Sequence, residues 1–400
     1  MEKYPTIDLK IEAAKIAAQH KGYNHTEFAL KNPLNLEKEL LLLVSNQLLF
    51  LEKLPNKMPQ WEVFTGLLAP SRVSFEQSSS EFTGNFKRSI LNGKKGIDLT
   101  GGFGIDSFHL SQNLDSFLYI EQNTELSEVV DYNFKLLGLK NIEIKNTTAE
   151  EFLSSSTGKF DFVFLDPARR NDQNKKMVGI EDCQPNLLEI KDQLLSISPV
   201  ILIKYSPLLD LSISIHQLKN IHKMFILAEK NEVKEVLFLI KNNEEFNPEI
   251  ECINLNSKNI VERFNYYYEE EKTAISNLSE PKAFLYEPNA AILKAGAFKQ
   301  IGTKLNLNKL GVHSHLYTSD TEIEDFPGRS FKIINVMNFD KKKITEALSE
   351  GKANITCRNF PLKPEEIRKK IGIKDGGDQY LFFTEEKNKQ KVVILCDKLH

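Results

Sequence analysis

No apolar run in this 400-residue chain approaches the roughly 18 to 20 residues that a bilayer span demands. One of the longest, Leu40 to Val44, is followed by Ser45 and Asn46 and suits a buried helix. The opening residues, Met1-Glu-Lys-Tyr-Pro-Thr-Ile-Asp-Leu9, lack the basic-then-apolar order of a secretory signal. Cytoplasmic residence without membrane association is therefore expected. Cysteine is scarce: Cys183, Cys252, Cys357 and Cys396 lie far apart with no CxxC pair, which argues against a disulfide framework or a zinc site and for buried thiols. His313 and His315 would share one face of a strand, but no Cys or third His is near them, so no metal is expected. Neither sign of charge dominates. A net charge of −3 argues against a uniformly basic protein.

Charge is nevertheless uneven along the chain. Lys282 to Lys309 holds five lysines against one acid, Glu287, and Phe331 to Lys374 holds eleven Lys or Arg against five Asp or Glu. Such segments can hold phosphates, and a solvated surface accounts for them equally well. The length implies two to four domains. No repeat or low-complexity stretch interrupts them.

Residues 1–80 read as a helical region, with an apolar stripe from Asp8 to His20 and a longer helix capped by Asn35 and ended by Pro55. Trp61, the only tryptophan, reads as core. From Lys95 strands and helices alternate. Strands are expected at 96–100, 116–121, 141–146, 160–165 and 200–205, and helices at 105–112, 124–137, 186–195 and 209–219. Short connections between them imply a doubly wound parallel sheet. The last two strands of this series, 224–228 and 235–240, are too close for a crossover helix and must form a hairpin. The expected division is 81–250 for this α/β domain, 251–320 for a small strand-rich ferredoxin-like linking domain, and 321–400 for a small α+β domain.

Parallel sheets bind ligands at the carboxyl ends of their strands. There the chain reads Asp98-Leu-Thr-Gly-Gly-Phe-Gly104, a glycine turn between strand and helix. Gly101, Gly102 and Gly104 let the backbone approach a ligand and take positive φ where needed. Glu121 ends the second strand 23 residues after Asp98, where an acid accepts both hydroxyls of a ribose. A dinucleotide fingerprint begun at Gly102 would need glycine at Ser107, and one begun at Gly101 would need it at Phe103. Nicotinamide dinucleotide binding is thereby disfavoured.

The fourth strand ends Phe164-Leu-Asp-Pro-Ala-Arg-Arg170. Asp98 to Asp106 (DLTGGFGID) together with Leu165 to Arg170 (LDPARR) resembles the class I RNA methyltransferases. The chain as a whole is similar to a bacterial family of methyltransferases with a THUMP-like domain. The resemblance implies a Rossmann-like class I sheet closed by the hairpin, an N-terminal helical region and C-terminal ferredoxin- and THUMP-like α+β domains. It further implies S-adenosylmethionine (SAM) as cofactor and RNA as partner. Asp98 would then face the methionine amine, with Thr100, Gly101, Gly102, Gly104, Asp106 and Glu121 completing the cofactor site. Thr148 is the candidate for the adenine, with helix capping as the alternative, and Gln77 the candidate over the methionine end.

Catalysis would fall to Asp166, which would face the reacting methyl group, to Pro167, which stiffens the turn, and to Lys204, which would steady negative charge. Arg169, Arg170 and Tyr205 are candidate substrate contacts, Arg169 and Arg170 reading equally as salt-bridge residues. Two departures from related enzymes matter. Amino-group methyltransferases carry an aromatic residue after Asp-Pro-Pro, whereas Ala168 and Arg169 stand here. Uridine carbon-5 enzymes attack with a cysteine after the fifth strand, whereas Lys204-Tyr-Ser-Pro207 stands here, and covalent attack is not expected. Tyr266, Tyr267 and Tyr268 are candidates for base stacking. A small-molecule or protein methyltransferase and a non-catalytic SAM-binding RNA-binding protein remain open. The sequence does not specify an oligomeric state.

Overall fold

The computed structural model describes residues 4–155, 158–169, 179–241 and 247–399. The chain forms two compact units, Met1–His222 with Leu237–Glu245, and Lys223–Val236 with Phe246–His400.

Unit 1 opens with α1 (Ile7–Gln19), α2 (His25–Lys31) and α3 (Lys38–Lys57), then α4 (Arg72–Gln77) and α5 (Glu81–Ile90). Pro55 does not end α3 as the sequence suggested. It lies inside the last turn, and the helix runs on to Lys57. Asn35 does not cap it either, taking a left-handed φ of 50° three residues before the helix starts.

Next come β1 (Lys95–Asp98), α6 (Ile105–Ser111), β2 (Ser116–Ile120), α7 (Thr124–Leu136), β3 (Ile142–Lys145), α8 (Ala149–Ser155) and β4 (Phe162–Leu165). They are followed by α9 (Leu187–Ile197), β5 (Val200–Tyr205) and α10 (Leu211–Leu218). Strands β1 to β5 are parallel in the order β3-β2-β1-β4-β5. The strand order switches sides between β1 and β4, and that switch point opens the crevice that such sheets use for ligands.

The early helices hold the glycine turn from behind. Phe103, inside that turn, packs edge-on against Phe50, Trp61 and Phe75, with ring centroids 5.8 to 5.9 Å apart. Trp61 is fully buried in the same cluster. Offset aromatic packing of this kind adds to the area it buries. The N-terminal region thus shapes the ligand-binding end of the sheet.

Strands β6 (Ile221–Glu229) and β7 (Glu232–Lys241) form the expected hairpin, longer than its sequence suggested. Lys230 and Asn231 turn it, both left-handed at φ 52° and 63°, the conformation of a two-residue type I′ loop. The second half of β7 lies beside β5 in unit 1.

In unit 2, β8 (Glu249–Leu255) pairs parallel with β6, and β9 (Val261–Tyr267) pairs antiparallel with β8. After α11 (Tyr268–Thr273) comes a second sheet built from β10 (Phe284–Pro288), β11 (Asn308–Lys309), β12 (Tyr317–Ser319), β13 (Gly328–Met337), β14 (Asn354–Cys357), β15 (Gln379–Glu385) and β16 (Lys391–Lys398). Its order is β11-β12-β10-β13-β16-β15-β14. Helices α12 (Ala290–Ala295) and α13 (Gln300–Lys304) fall between β10 and β11, while α14 (Lys341–Ala347) and α15 (Pro364–Ile371) supply Ile344, Ile367 and Ile371 to a core with Leu381, Phe383, Val393 and Leu395. Buried Glu287 of β10 is gripped by Arg329 of β13 and by Arg358, which follows β14.

Tyr266 is buried in the core with its hydroxyl on Ala295 O, whereas Tyr267 is exposed. A row of three tyrosines for base stacking therefore does not form. Alternation along the strand sends neighbours to opposite faces. Among the described residues no helix is long and apolar enough to cross a membrane, and no group of three or more His, Cys, Asp or Glu is placed to hold a metal.

Candidate active site

A cavity of about 230 Å³ opens at the carboxyl ends of β1, β2 and β4 in unit 1. The glycine turn forms its floor, and each glycine is needed for a different reason. A Cβ on Gly101 would lie 2.0 Å from the Tyr119 ring, and one on Gly104 (φ 79°) 2.6 Å from Phe134. At Gly102 (φ 57°) a Cβ would meet only Thr100 O, at 3.8 Å. Gly102 lines the cavity, so glycine there leaves room for a ligand. Tyr119 fixes the turn by donating its hydroxyl to Gly102 O at 2.6 Å.

Asp98 is buried at 1 % exposure. Its Oδ1 accepts from Thr100 N–H (2.9 Å) and its Oδ2 from the Ser107 hydroxyl (2.6 Å). Burial pushes its carboxyl from the ordinary 3.8 up to about 7. The bonds from Ser107 and Thr100 oppose the rise, and the carboxylates of Asp106 and Asp166 add to it. An anion made this costly is relieved by a cation entering the cavity. Glu121 is held in readiness: Gly102 N–H donates to Oε2 and Asn123 N–H to Oε1, each at 2.8 Å. Each oxygen retains a lone pair for a hydroxyl donor.

Gln77, Thr100, Asp106, Asp166 and Lys204 also line the cavity. Thr100 ties β1 to β4, its Oγ1 accepting from Asp166 N–H at 2.6 Å. Thr148 does not line it. Its hydroxyl accepts from Glu151 N–H at 3.1 Å, the alternative capping role, and Thr147, Ala149 and Glu150 face the cavity instead. Pro167 is buried behind Asp166, and Arg169 is exposed. Arg170 lies outside the described residues. Tyr205 is 3 % exposed and does not reach the cavity wall.

Lys204 is no solvated lysine. At 6 % exposure, its ammonium lies 2.7 Å from Asp166 Oδ2, 3.2 Å from Ser79 Oγ and 3.4 Å from Asp106 Oδ2. Behind it stands a residue that the sequence did not single out. Lys87 of α5 is fully buried with its ammonium 2.9 Å from both Asp106 Oδ1 and Ser79 Oγ. Burial works against the charge on Asp106, but Lys87 and Lys204 outweigh it and hold that carboxyl well below the usual range. Ser78 and Ser79, which follow Gln77 in the same polar stretch, also line the wall, together with Ser74 and Gln122, which no sequence signal marks.

A parallel sheet closed by a hairpin, with an acid at the end of β2 and Asp-Pro at the end of β4, defines a class I, SAM-dependent methyltransferase. Comparison with known proteins makes the assignment particular. Residues 81–207 match the family described as conserved hypothetical protein 95, 284–327 a ferredoxin-like domain, and 328–398 a THUMP domain-like family. The crystal structure of a "putative methyltransferase" from Porphyromonas gingivalis W83 is 32 % identical, covers 100 % of both chains and superposes with a TM-score of 0.87. The chain belongs to that family, the methyltransferases with a THUMP-like domain.

More distant is an rRNA methylase from Streptococcus thermophilus, 12 % identical over 40 % of this chain and 94 % of its own, with a TM-score of 0.31. TrmK of M. capricolum, solved with S-adenosyl-homocysteine, is 16 % identical over 41 % and 69 %, with a TM-score of 0.33. Among curated proteins none matches.

Proposed function

We propose that the protein methylates a base of ribosomal or transfer RNA by direct transfer, without a cysteine nucleophile. What carries this reading is the pairing of Asp166, at the cavity wall, with the buried Lys204 ammonium. The bound cofactor supplies an electrophilic methyl group on a sulfonium and leaves as the neutral thioether. Glu121 accepts the ribose hydroxyls, Asp98 compensates the amine, and Gln77 covers the methionine end. Asp166 orients the acceptor nitrogen or oxygen and takes up the proton that the acceptor loses. Lys204, 2.7 Å from Oδ2, holds that carboxylate in direction. Holding acceptor and donor in line is the principal source of rate in such a transfer.

Cysteine chemistry has no support at this site. Among the described residues the thiol nearest in sequence to Asp166 is Cys183, which is 3 % exposed and whose pKa burial pushes up to about 11. A thiol, unlike a thiolate, is a poor nucleophile. Support for RNA comes from the THUMP domain-like match at 328–398 and from the basic excess of Phe331 to Lys374.

Filter binding of total cellular RNA at several salt concentrations tests the substrate class. Affinity is expected to fall linearly in log K against log salt, since contacts with phosphates release counterions. Absence of binding at low salt, or binding without a salt slope, would rule RNA out.

A further inference from the structure

Four charged side chains form a chain of contacts at the catalytic end of the sheet: Lys87, Asp106, Lys204 and Asp166. Their formal charges cancel. Their exposures do not match, however. Lys87 is fully buried, Asp106 and Lys204 are 8 % and 6 % exposed, and only Asp166, with a side chain 38 % exposed, opens substantially to solvent. Lys87 does not line the cavity, so contact with cofactor or substrate does not explain why a lysine is placed where its desolvation is most costly.

The distances give a reason. Lys204 has two carboxylates within reach and sits closer to Asp166, at 2.7 Å, than to Asp106, at 3.4 Å. Asp106 is already supplied on its other side, by the Lys87 ammonium at 2.9 Å on Oδ1 and by the Ser79 hydroxyl at 2.8 Å on Oδ2. Ser79 Oγ accepts from both ammonium groups while donating to Asp106, so one hydroxyl sets the spacing of all three. Without Lys87, Asp106 would be a buried carboxylate whose nearest remaining counter-ion is Lys204, and a buried charge takes the nearest compensation open to it.

From this geometry we infer that Lys87 is a positioning residue for methyl transfer: by satisfying Asp106 it releases Lys204 to hold Asp166 toward the acceptor. The inference rests on the reading of Asp166 as the residue that orients the acceptor. It adds that α5, an element outside the sheet, sets the direction of the catalytic carboxylate. Sequence gives no hint of it, since Phe86-Lys87-Arg88 reads as an ordinary helix surface.

The test uses the full-length chain with Lys87→Met, which keeps the length of the side chain and removes its charge. A crystal structure of the variant is expected to show the Lys204 ammonium nearer Asp106 than Asp166, reversing the present order. In tritiated-methyl transfer from SAM to RNA from cells lacking the protein, kcat should fall about tenfold or more, because misplacement by about 1 Å can cost up to ~100-fold. SAM affinity by calorimetry should change by less than about threefold, the signature of an effect confined to the transition state. The double variant Lys87→Met/Asp106→Asn, which removes the competing carboxylate, should recover part of the lost kcat. Should Lys87→Met not fold, Lys87→Gln, which keeps a donor for Asp106 without the charge, is expected to lose kcat in the same direction.

Retention of the Lys204–Asp166 contact in the variant, or unchanged kcat, would overturn the inference. So would a fall in SAM affinity as large as the fall in kcat. Failure of the RNA reading is seen separately: the wild-type protein would then transfer no methyl to RNA, while the crystallographic outcome would still decide the role of Lys87.

Discussion

Replacing Asp98 by Asn should make the cofactor-free protein more stable and its cofactor binding weaker. The wild-type carboxyl titrates near 7 in the folded chain against an ordinary 3.8. A group whose folded pKa is raised favours folding fully below its unfolded pKa and loses that advantage as pH rises through the folded one. For Asp98 the loss runs from about pH 4 to about pH 7. Roughly three units at ~1.4 kcal/mol each make it about 4 kcal/mol above pH 7 and about 2 kcal/mol at pH 5. Asn carries no charge to desolvate, and its oxygen still accepts from Thr100 N–H.

Urea unfolding of both proteins without cofactor, followed through Trp61 in the same unit, supplies the measurement. The variant should gain about 2 to 4 kcal/mol at pH 8 and clearly less at pH 5, the lower figure allowing for the weaker bond to Ser107. Calorimetry with SAM should show its affinity reduced. A variant less stable than wild type at pH 8, or a difference that ignores pH, would mean that no charge is held at a cost at Asp98. The carboxylate would then be structural mortar for the turn, with no strain reserved for a cation.

Other outcomes follow from the same geometry. Glu121→Gln should weaken SAM binding about 10- to 100-fold by calorimetry, since hydrogen bonds to a charged group contribute ~1.5 to 3 kcal/mol, and should cost about 1 to 3 kcal/mol of stability in urea, because one amide oxygen cannot accept from both Gly102 N–H and Asn123 N–H. Gly104→Ala should destabilise unit 1 by about 1 to 3 kcal/mol in urea, because φ is 79° and the added Cβ meets Phe134 at 2.6 Å. Glu287→Ala should destabilise unit 2 by about 3 to 5 kcal/mol, because Arg329 and Arg358 lose their shared carboxylate. Tyr286 or Tyr317 fluorescence is too weak for this readout, so hydrogen exchange of β13 amides is the assay of choice.

The cofactor turn was legible because its chemistry is local. Asp98, the three glycines and Glu121 stand at spacings that the backbone of one strand-turn-helix unit dictates. Long-range packing was not legible. Lys87 is a lysine on a short helix until tertiary structure buries it against Asp106, 19 residues on, and no periodicity marks that meeting. The wall residues Ser74 and Gln122 are hidden in the same way. Thr148 shows a competition between two local roles, and the capping bond to Glu151 N–H occupies the hydroxyl. Pro55 was misread as a helix end because tertiary packing of Leu54 and Met58 carries α3 through it. In the β6–β7 hairpin the charged stretch Glu229 to Lys234 read as loop, although Lys230 and Asn231 alone make the turn.

Tritiated-methyl transfer from SAM into RNA prepared from cells deleted for this protein, with wild type and Asp166→Ala side by side, tests whether Asp166 serves methyl transfer to RNA. Wild type should label the RNA, and the variant should bind SAM with unchanged affinity while its rate falls by about 100-fold or more. Full activity of Asp166→Ala would contradict the account of the site, and absence of label with wild type would contradict RNA as the substrate.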